Sequence, residues 1–148
     1  MKVSEIMHGV TVLNETVSVQ FAACVMRDKG IGSVLVERKD GVICGIMTER
    51  DVLKKIVAEG LNPGSTTLRE VMTSSLITIR EDADVAEASA LLNKFHIRRL
   101  PVVNAEGKIV GITTARDVAK SFAYLQVHKI LGESDREYAR VGFFEHLQ

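Results

Sequence analysis

The sequence predicts a mixed α/β (α+β) protein built from two strand-helix-strand-strand-helix repeats. The first observation is that Gly45-Ile46-Met47-Thr48-Glu49-Arg50-Asp51 returns as Gly111-Ile112-Thr113-Thr114-Ala115-Arg116-Asp117. The second is the constant spacing, because Gly41 and Gly107 are separated by the same 66 positions as Asp51 and Asp117 (117 − 51). Two copies are too few for an open solenoid. We therefore expect two halves related by a pseudo-twofold axis.

Hydrophobic periodicity and turn signals define the elements of the first repeat. Asp40-Gly41 is a strong hairpin-turn signal. Gly30 ends the first helix, and Thr48 caps the second. The predicted elements are a short strand at residues 10–13, a helix over about 17–28, strands at 33–37 and 42–47, and a helix through Val52, Leu53, Ile56 and Val57.

The second repeat shows the same pattern. Asp82 or Asp84 caps its first helix, and Glu106-Gly107 marks its hairpin. The predicted elements are a strand at residues 76–79, a helix through Val85 and Phe95, strands at 100–103 and 109–113, and a last helix from Thr114 towards Leu131. The predicted organisation is thus repeat 1 at residues 1–60, a linker at 61–67, repeat 2 at 68–126, and a C-terminal helical extension or tail at 127–148.

Composition excludes several classes of function. Nineteen Lys and Arg balance nineteen Asp and Glu, so no broad basic surface predicts binding to nucleic acid or to an anionic membrane. The chain has no apolar run long enough to span a bilayer and no secretory pattern at its start, which favours a cytoplasmic protein. Cys24 and Cys44 lack paired spacing and are interpreted as small buried hydrophobic residues. The four histidines have no metal-ligand spacing, and no metal site is predicted.

The repeated segment has two interpretations. Thr48 at a helix N-terminus, with the free amides of the first turn, can receive a phosphate or another polar group. Asp51 is a two-oxygen acceptor that can bind neighbouring hydroxyls, such as those of a ribose. The same Thr-x-x-Asp spacing is also an ordinary capping arrangement. Two matched instances favour a ligand, although duplication of a cap would also produce them.

The combined pattern resembles a stand-alone tandem pair of cystathionine-β-synthase (CBS) domains, a Bateman module. The resemblance rests on the paired Gly-Ile-x-Thr-x-Arg-Asp segments, the order of elements, Leu100-Pro101-Val102-Val103, and the Met-His and Met-Thr pairs near the start of each repeat. It covers roughly residues 1–125. It implies two repeats packed sheet to sheet, with two related clefts that bind adenosyl compounds.

The resemblance also implies roles for individual residues. Asp51 and Asp117 would each bind a ribose, with Thr48 and Thr114 near the ribose or phosphate, and Arg50 and Arg116 adding charge. The residues expected to flank the adenine are Val10, Thr11, Val12 and Ile46, and Leu76, Ile77, Thr78 and Ile112.

The two clefts are not expected to be equivalent. Arg98 and Arg99 precede a strand in the second repeat, where the first repeat has Gly32 and Ser33. By the resemblance, this segment serves the ligand held by the other repeat, so the arginine pair would serve Asp51. Because a guanidinium donates two hydrogen bonds at once, we expect this cleft to prefer a phosphorylated adenosine.

The leading functional hypothesis is a regulatory sensor of an adenosyl effector, with AMP, ADP or ATP favoured over S-adenosylmethionine or NAD, acting on an unknown partner protein. The alternative is a structural dimerisation or assembly module with empty or vestigial clefts. A homodimer is compatible with both. No nucleophile, base and orienting group can be assembled from the spacing, so the chain is not expected to be an enzyme, and no cofactor is required.

Overall fold

Strands of the two repeats form two three-stranded sheets of the same topology. In the computed structural model, which describes residues 1–130, the orders are β1-β2-β3 and β4-β5-β6. The first pair of each sheet is parallel and the second antiparallel. The bounds are β1 Val12–Asn14, α1 Val19–Lys29, β2 Ser33–Glu37, β3 Ile43–Thr48, α2 Glu49–Asp51, a π-helical segment Val52–Val57, α3 Leu68–Val71, β4 Ile79–Arg80, α4 Val85–Lys94, β5 Arg99–Val103, β6 Ile109–Thr114 and α5 Ala115–Ile130, preceded by a 3-10 turn Val3–Glu5. The mixed α/β class is confirmed.

The chain divides into two compact units. One, which we call the Asp51 unit, is Gly9–Ile77; the other, the Asp117 unit, combines Met1–His8 with the chain from Thr78 onward. The units are therefore offset from the sequence repeats, since the opening segment of each repeat packs in the unit formed by most of the other. Backbone hydrogen bonds join Val3 N to Ala83 O at 2.9 Å in one unit and Leu68 N to Val17 O at 3.0 Å in the other.

Local signals placed the hairpins correctly. Gly41 and Gly107 have φ angles of 80° and 77°, a left-handed conformation that glycine adopts without strain. β2 pairs with β3, and β5 with β6, with a register irregularity at Val36/Glu37 and at Val102/Val103 respectively. The predicted caps also form, because Thr48 accepts a hydrogen bond from the Asp51 amide and Asp84 accepts one from the Ala86 amide. Ser18, which the sequence did not single out, caps α1 by accepting from the Phe21 amide.

The two cores use equivalent positions. In the Asp51 unit, the buried cluster is Val19, Ala22, Met26, Val34, Val36, Met47, Ile56 and Leu68. In the Asp117 unit, the buried residues at the matching positions are Val85, Ala88, Leu92, Leu100, Val102, Thr113 and Val3. The match fails at two places, since Thr113 replaces Met47 and the exposed Phe122 replaces Ile56. Burial of these apolar faces is the main stabilising contribution to each unit.

The short first strand of each repeat was predicted too early. β1 begins at Val12, and Val10 and Thr11 precede it; β4 begins at Ile79, and Leu76, Ile77 and Thr78 precede it. A parallel strand forms only where its partner runs alongside, and the pairings begin at Val12 with Leu35 and at Ile79 with Val102. The preceding residues instead carry the chain from one unit to the other.

The helix after β3 differs from the regular helix that its apolar spacing predicts. α2 is one turn long and continues as the π-helical segment Val52–Val57, whereas α5 is α-helical over 16 residues. Ile56 is buried as expected, but Leu53 and Val57 are exposed. The predicted tail at 127–148 begins within α5, and its residues 131–148 lie outside the described residues.

Candidate functional site

Thr48 and Asp51 form a reciprocal cap at the end of β3. The Thr48 amide donates to Asp51 Oδ2 at 3.0 Å, and the Asp51 amide donates to Thr48 Oγ1 at 3.1 Å. This confirms the capping interpretation. It does not use the second carboxylate oxygen, Oδ1, so the cap and a ligand-binding role are compatible.

Asp51 Oδ1 faces a lysine that the sequence analysis did not single out. Lys55 Nζ lies 3.3 Å from this oxygen. The same ammonium group donates to Val71 O at 2.7 Å and to Thr73 Oγ1 at 3.3 Å. Three acceptors therefore fix the charge of Lys55 beside Asp51, whose side chain is 15% exposed. The i,i+4 spacing of Asp51 and Lys55 is a signal that could have found this pair.

Thr114 and Asp117 repeat the cap in the other unit. Asp117 Oδ2 accepts hydrogen bonds from the Thr114 amide at 2.8 Å and from Thr114 Oγ1 at 2.7 Å. The Asp117 amide donates to Thr114 Oγ1 at 3.2 Å. Here Oδ1 faces His8, whose Nε2 lies 2.8 Å away. The sequence offered no signal for this contact, because it joins residues at opposite ends of the repeat pattern.

Backbone pairing explains how His8 and Thr73 reach these sites. His8 forms an isolated antiparallel bridge with Ile112, and Thr73 forms the matching bridge with Ile46. These bridges bring the preceding residues, Met7 and Met72, close to β6 and β3 respectively. A side chain at Gly111 or Gly45 would collide with these methionines. A Cβ on Gly45 would lie 2.5 Å from Met72 Sδ, and one on Gly111 would lie 2.7 Å from Met7 Sδ. Both glycines thus allow another segment of the same chain to pack closely against the strand.

The predicted site residues fall into two groups. In the Asp51 unit the structure pairs Thr48 with Asp51, and in the Asp117 unit it pairs Thr114 with Asp117. Ile46 and Ile112 lie two residues before these threonines on β3 and β6. Arg50 and Arg116 are exposed beside the two carboxylates in the chain.

Arg98 immediately precedes β5 in the Asp117 unit, and Arg99 is the first residue of that strand. Arg98 is exposed, and its carbonyl accepts a hydrogen bond from the Ala115 amide at 2.8 Å. The matching bond in the other unit runs from the Glu49 amide to Gly32 O at 3.0 Å. The backbone that carries Arg98 is therefore fixed at the first turn of α5. Binding of Arg98 and Arg99 to the phosphate of a ligand at Asp51 stays a prediction.

Other reactive groups lie away from these carboxylates. Cys24 and Cys44 are free and half-buried rather than fully buried. Burial, assisted by the negative charge of Glu15, raises the pKa of the Cys44 thiol, which disfavours the reactive thiolate. Among residues 1–130, no three or more His, Cys, Asp or Glu side chains are grouped to hold a metal ion. Over the same residues, no helix is both long and apolar enough to cross a membrane.

Comparison with known sequences identifies the repeats. The family model of the CBS domain matches residues 3–58 and again residues 68–124. An uncharacterised protein of Methanopyrus kandleri is 42% identical over 100 residues, which cover 68% of this chain and 51% of that protein, so the match spans about half of the relative's length. Hypoxic response protein 1 of Mycobacterium tuberculosis is 32% identical over 123 residues, 83% of each chain.

Two solved structures of similar fold are complexes with adenosyl compounds. The CBS domain pair of protein MJ0100, in complex with 5'-methylthioadenosine and S-adenosyl-L-methionine, has a TM-score of 0.72 and 27% identity, covering 83% of this chain and 96% of that one. The CBS domain protein PAE2072 of Pyrobaculum aerophilum, complexed with AMP, has a TM-score of 0.73 and 25% identity, covering 79% and 89%.

Proposed function

We propose that this chain, which belongs to the CBS domain family, is a regulatory module that binds an adenosyl compound at Asp51 and Asp117 and signals to a partner protein. The observation that carries the proposal is the pair of Thr-Asp caps, each of which directs Oδ2 to the backbone and leaves Oδ1 to other partners. An ionised carboxylate oxygen accepts the hydroxyl donors of a ribose. Both copies retain the arrangement, which argues against vestigial sites.

The proposed ligand class is a phosphorylated adenosine, AMP, ADP or ATP. Complexes of similar proteins with AMP, with S-adenosyl-L-methionine and with 5'-methylthioadenosine support the adenosyl part. Arg98 and Arg99 support the phosphate, since each can donate two hydrogen bonds to it. We assign the phosphate-binding role to this pair for the ligand at Asp51, and the adenine contacts to the residues predicted above.

The proposed regulation depends on the free energy of ligand binding and not on a chemical reaction of the ligand. A ligand changes the state of a protein only by as much as its affinity differs between two states. The proposed output is therefore a ligand-dependent change that a separate effector protein recognises, with the ligand released unchanged. Recovery of intact nucleotide after prolonged incubation distinguishes this role from that of a hydrolase.

A second candidate function, assembly, is favoured by one observation. Leu53 and Val57 lie one turn apart on the π-helical segment and are 61% and 66% exposed. Exposed apolar neighbours of this kind are typical of protein contact surfaces. We propose that this surface contributes to a homodimer, which is compatible with sensing. Dimerisation without any nucleotide binding by the folded protein would favour assembly as the main role.

Calorimetric titration tests the proposal. We expect saturable binding of AMP or ATP to the full chain, and weaker binding of S-adenosyl-L-methionine and NAD. Asp51→Ala should remove most of the affinity for the phosphorylated ligand, and Asp117→Ala should affect a second, weaker site. Asp28→Ala is the matched control, because Asp28 is an exposed carboxylate paired only with the neighbouring Arg27 among the described residues. Failure of every ligand to bind folded protein would refute the proposal.

A further inference from the structure

The two carboxylates differ in how many acceptor positions they have left. Two carboxylate oxygens offer about four lone-pair positions. Asp117 uses three within the described chain, with two donors from Thr114 on Oδ2 and His8 on Oδ1. Asp51 uses two, one for the Thr48 amide on Oδ2 and one for Lys55 on Oδ1. A vicinal diol, which presents two hydroxyl donors, fits the remaining positions of Asp51 but not those of Asp117.

The additional donor on Asp117 Oδ2 is the Thr114 hydroxyl, and the donor on Asp117 Oδ1 is His8. The position that matches His8 in the other unit is Thr73, which forms the same backbone bridge but accepts a hydrogen bond from Lys55 instead of contacting the carboxylate. Ser121 occupies the position that matches Lys55, and its hydroxyl donates to Val118 O at 2.6 Å. The partner of Oδ1 thus comes from the helix in one unit and from the opening segment in the other.

His8 is held at the backbone and free to leave at the side chain. Hydrogen bonds of 2.8 Å and 3.0 Å with Ile112 fix its main chain. Its side chain is 52% exposed, and Asp117 is the one described residue to which its ring is hydrogen-bonded. A rotation about its side-chain bonds would release Oδ1 without breaking the bridge. Exposed contacts of this kind contribute little stability, so a ligand can displace them at modest cost.

We propose that His8 is an internal competitor for the ligand at Asp117, and that Asp51 therefore fills first. This inference rests on the proposed function. His8 and the two Thr114 donors leave one acceptor position on Asp117, so a diol must displace His8 to donate both hydroxyls. The Thr48 amide and Lys55 leave two positions on Asp51. His8 is accordingly a residue that sets the relative affinity of the two sites for nucleosides.

Adenosine is the probe that tests the proposal, because it carries the diol without a phosphate. In the full chain we expect His8→Thr, which installs the residue of the matching position, to raise adenosine affinity at Asp117 by about threefold to tenfold. The gain should disappear in His8→Thr/Asp117→Ala. His8→Gln retains a side-chain donor and should give a smaller gain, which also guards against a folding defect in the threonine variant. His96→Asn, at another exposed histidine of the same unit, should leave the affinity unchanged, because asparagine tolerates the left-handed backbone there.

The reverse transfer tests the same idea at the other site. Thr73→His, with Lys55 retained, adds a histidine beside Asp51 and raises the positions that Asp51 uses from two to three, so adenosine binding there should weaken by a similar factor. Equal adenosine affinity in wild type, His8→Thr and Thr73→His would overturn the competition while leaving the proposed function intact. Absence of adenosine and AMP binding in every variant would overturn both.

Discussion

His96 shows how one residue can carry strain that its counterpart avoids. It has φ = 51°, and Gly30, 66 positions earlier, has φ = 64°. Both follow a helix and belong to the same termination motif, because Ile31 N donates to Met26 O and Ile97 N to Leu92 O. Glycine adopts this conformation freely, whereas a residue with a Cβ does not. The second repeat therefore has histidine where its own backbone favours glycine.

Replacing His96 with glycine should stabilise the protein. We expect His96→Gly to raise the free energy of unfolding by about 1 kcal/mol, since relief of the left-handed strain outweighs the added freedom of the unfolded chain. Urea denaturation of wild type and variant measures the change. Gly30→Ala is the mirror control and should lower stability by a similar amount. A loss of stability in His96→Gly would contradict this explanation.

At the scale of elements, the short helix α3 depends on one carboxylate. Glu70 accepts hydrogen bonds from the Thr67 amide at 2.6 Å and from Thr67 Oγ1 at 2.9 Å. These bonds hold the pKa of Glu70 below its usual value, and the bond from the Thr67 amide makes the larger contribution. α3 in turn places Leu68 in the core of the Asp51 unit and leads to Val71 and Thr73, which fix Lys55.

The lowered pKa predicts an acid-dependent contribution to stability. A carboxyl group whose pKa is lower in the folded state stabilises the fold above its unfolded pKa, and this contribution is lost as the pH falls through the folded value. Glu70→Gln should therefore be less stable than wild type at pH 7, and the difference in stability should close as the pH falls from 7 through the lowered pKa of Glu70. Thermal unfolding across this range measures it, and Thr67→Ala, which removes one of the two bonds, should show a smaller effect in the same direction. A gap that stays constant with pH would refute the role of the charge.

Elements specified by local chemistry could be predicted, and those specified by distant partners could not. The hairpins at Gly41 and Gly107 and the cap at Thr48 depend on a few neighbouring residues. The start of β1 depends on where β2 lies beside it. The π-helical segment after Asp51 could not be predicted, because its apolar pattern also fits an α-helix. The same division holds around the two carboxylates, where the Thr-Asp caps were predicted and the contact of His8 with Asp117 was not.

At the scale of the whole molecule, the opening segment of the chain belongs to the unit that contains most of the second repeat. Met1–His8 adds Val3 and Ile6 to the buried residues of the Asp117 unit, and Val3 is fully buried. Leu68, at the matching place in the second repeat, is equally buried in the Asp51 unit. Each unit thus needs a segment from the other repeat, so neither repeat cut at its sequence boundary contains a complete core.

Val3 should therefore matter far more than its position near the start of the chain suggests. Terminal residues usually tolerate change, but Val3→Ala removes two methyl groups from a fully buried site and should lower the free energy of unfolding by about 2 kcal/mol. Chemical denaturation measures the loss. Ser4→Ala is the surface control, because Ser4 is exposed and keeps its backbone bond to Glu81 O. Leu68→Ala should destabilise through the same mechanism in the other unit. If Val3→Ala and Ser4→Ala proved equally mild, the opening segment would contribute little to the core, and the contact that places His8 on Asp117 would lose its structural support.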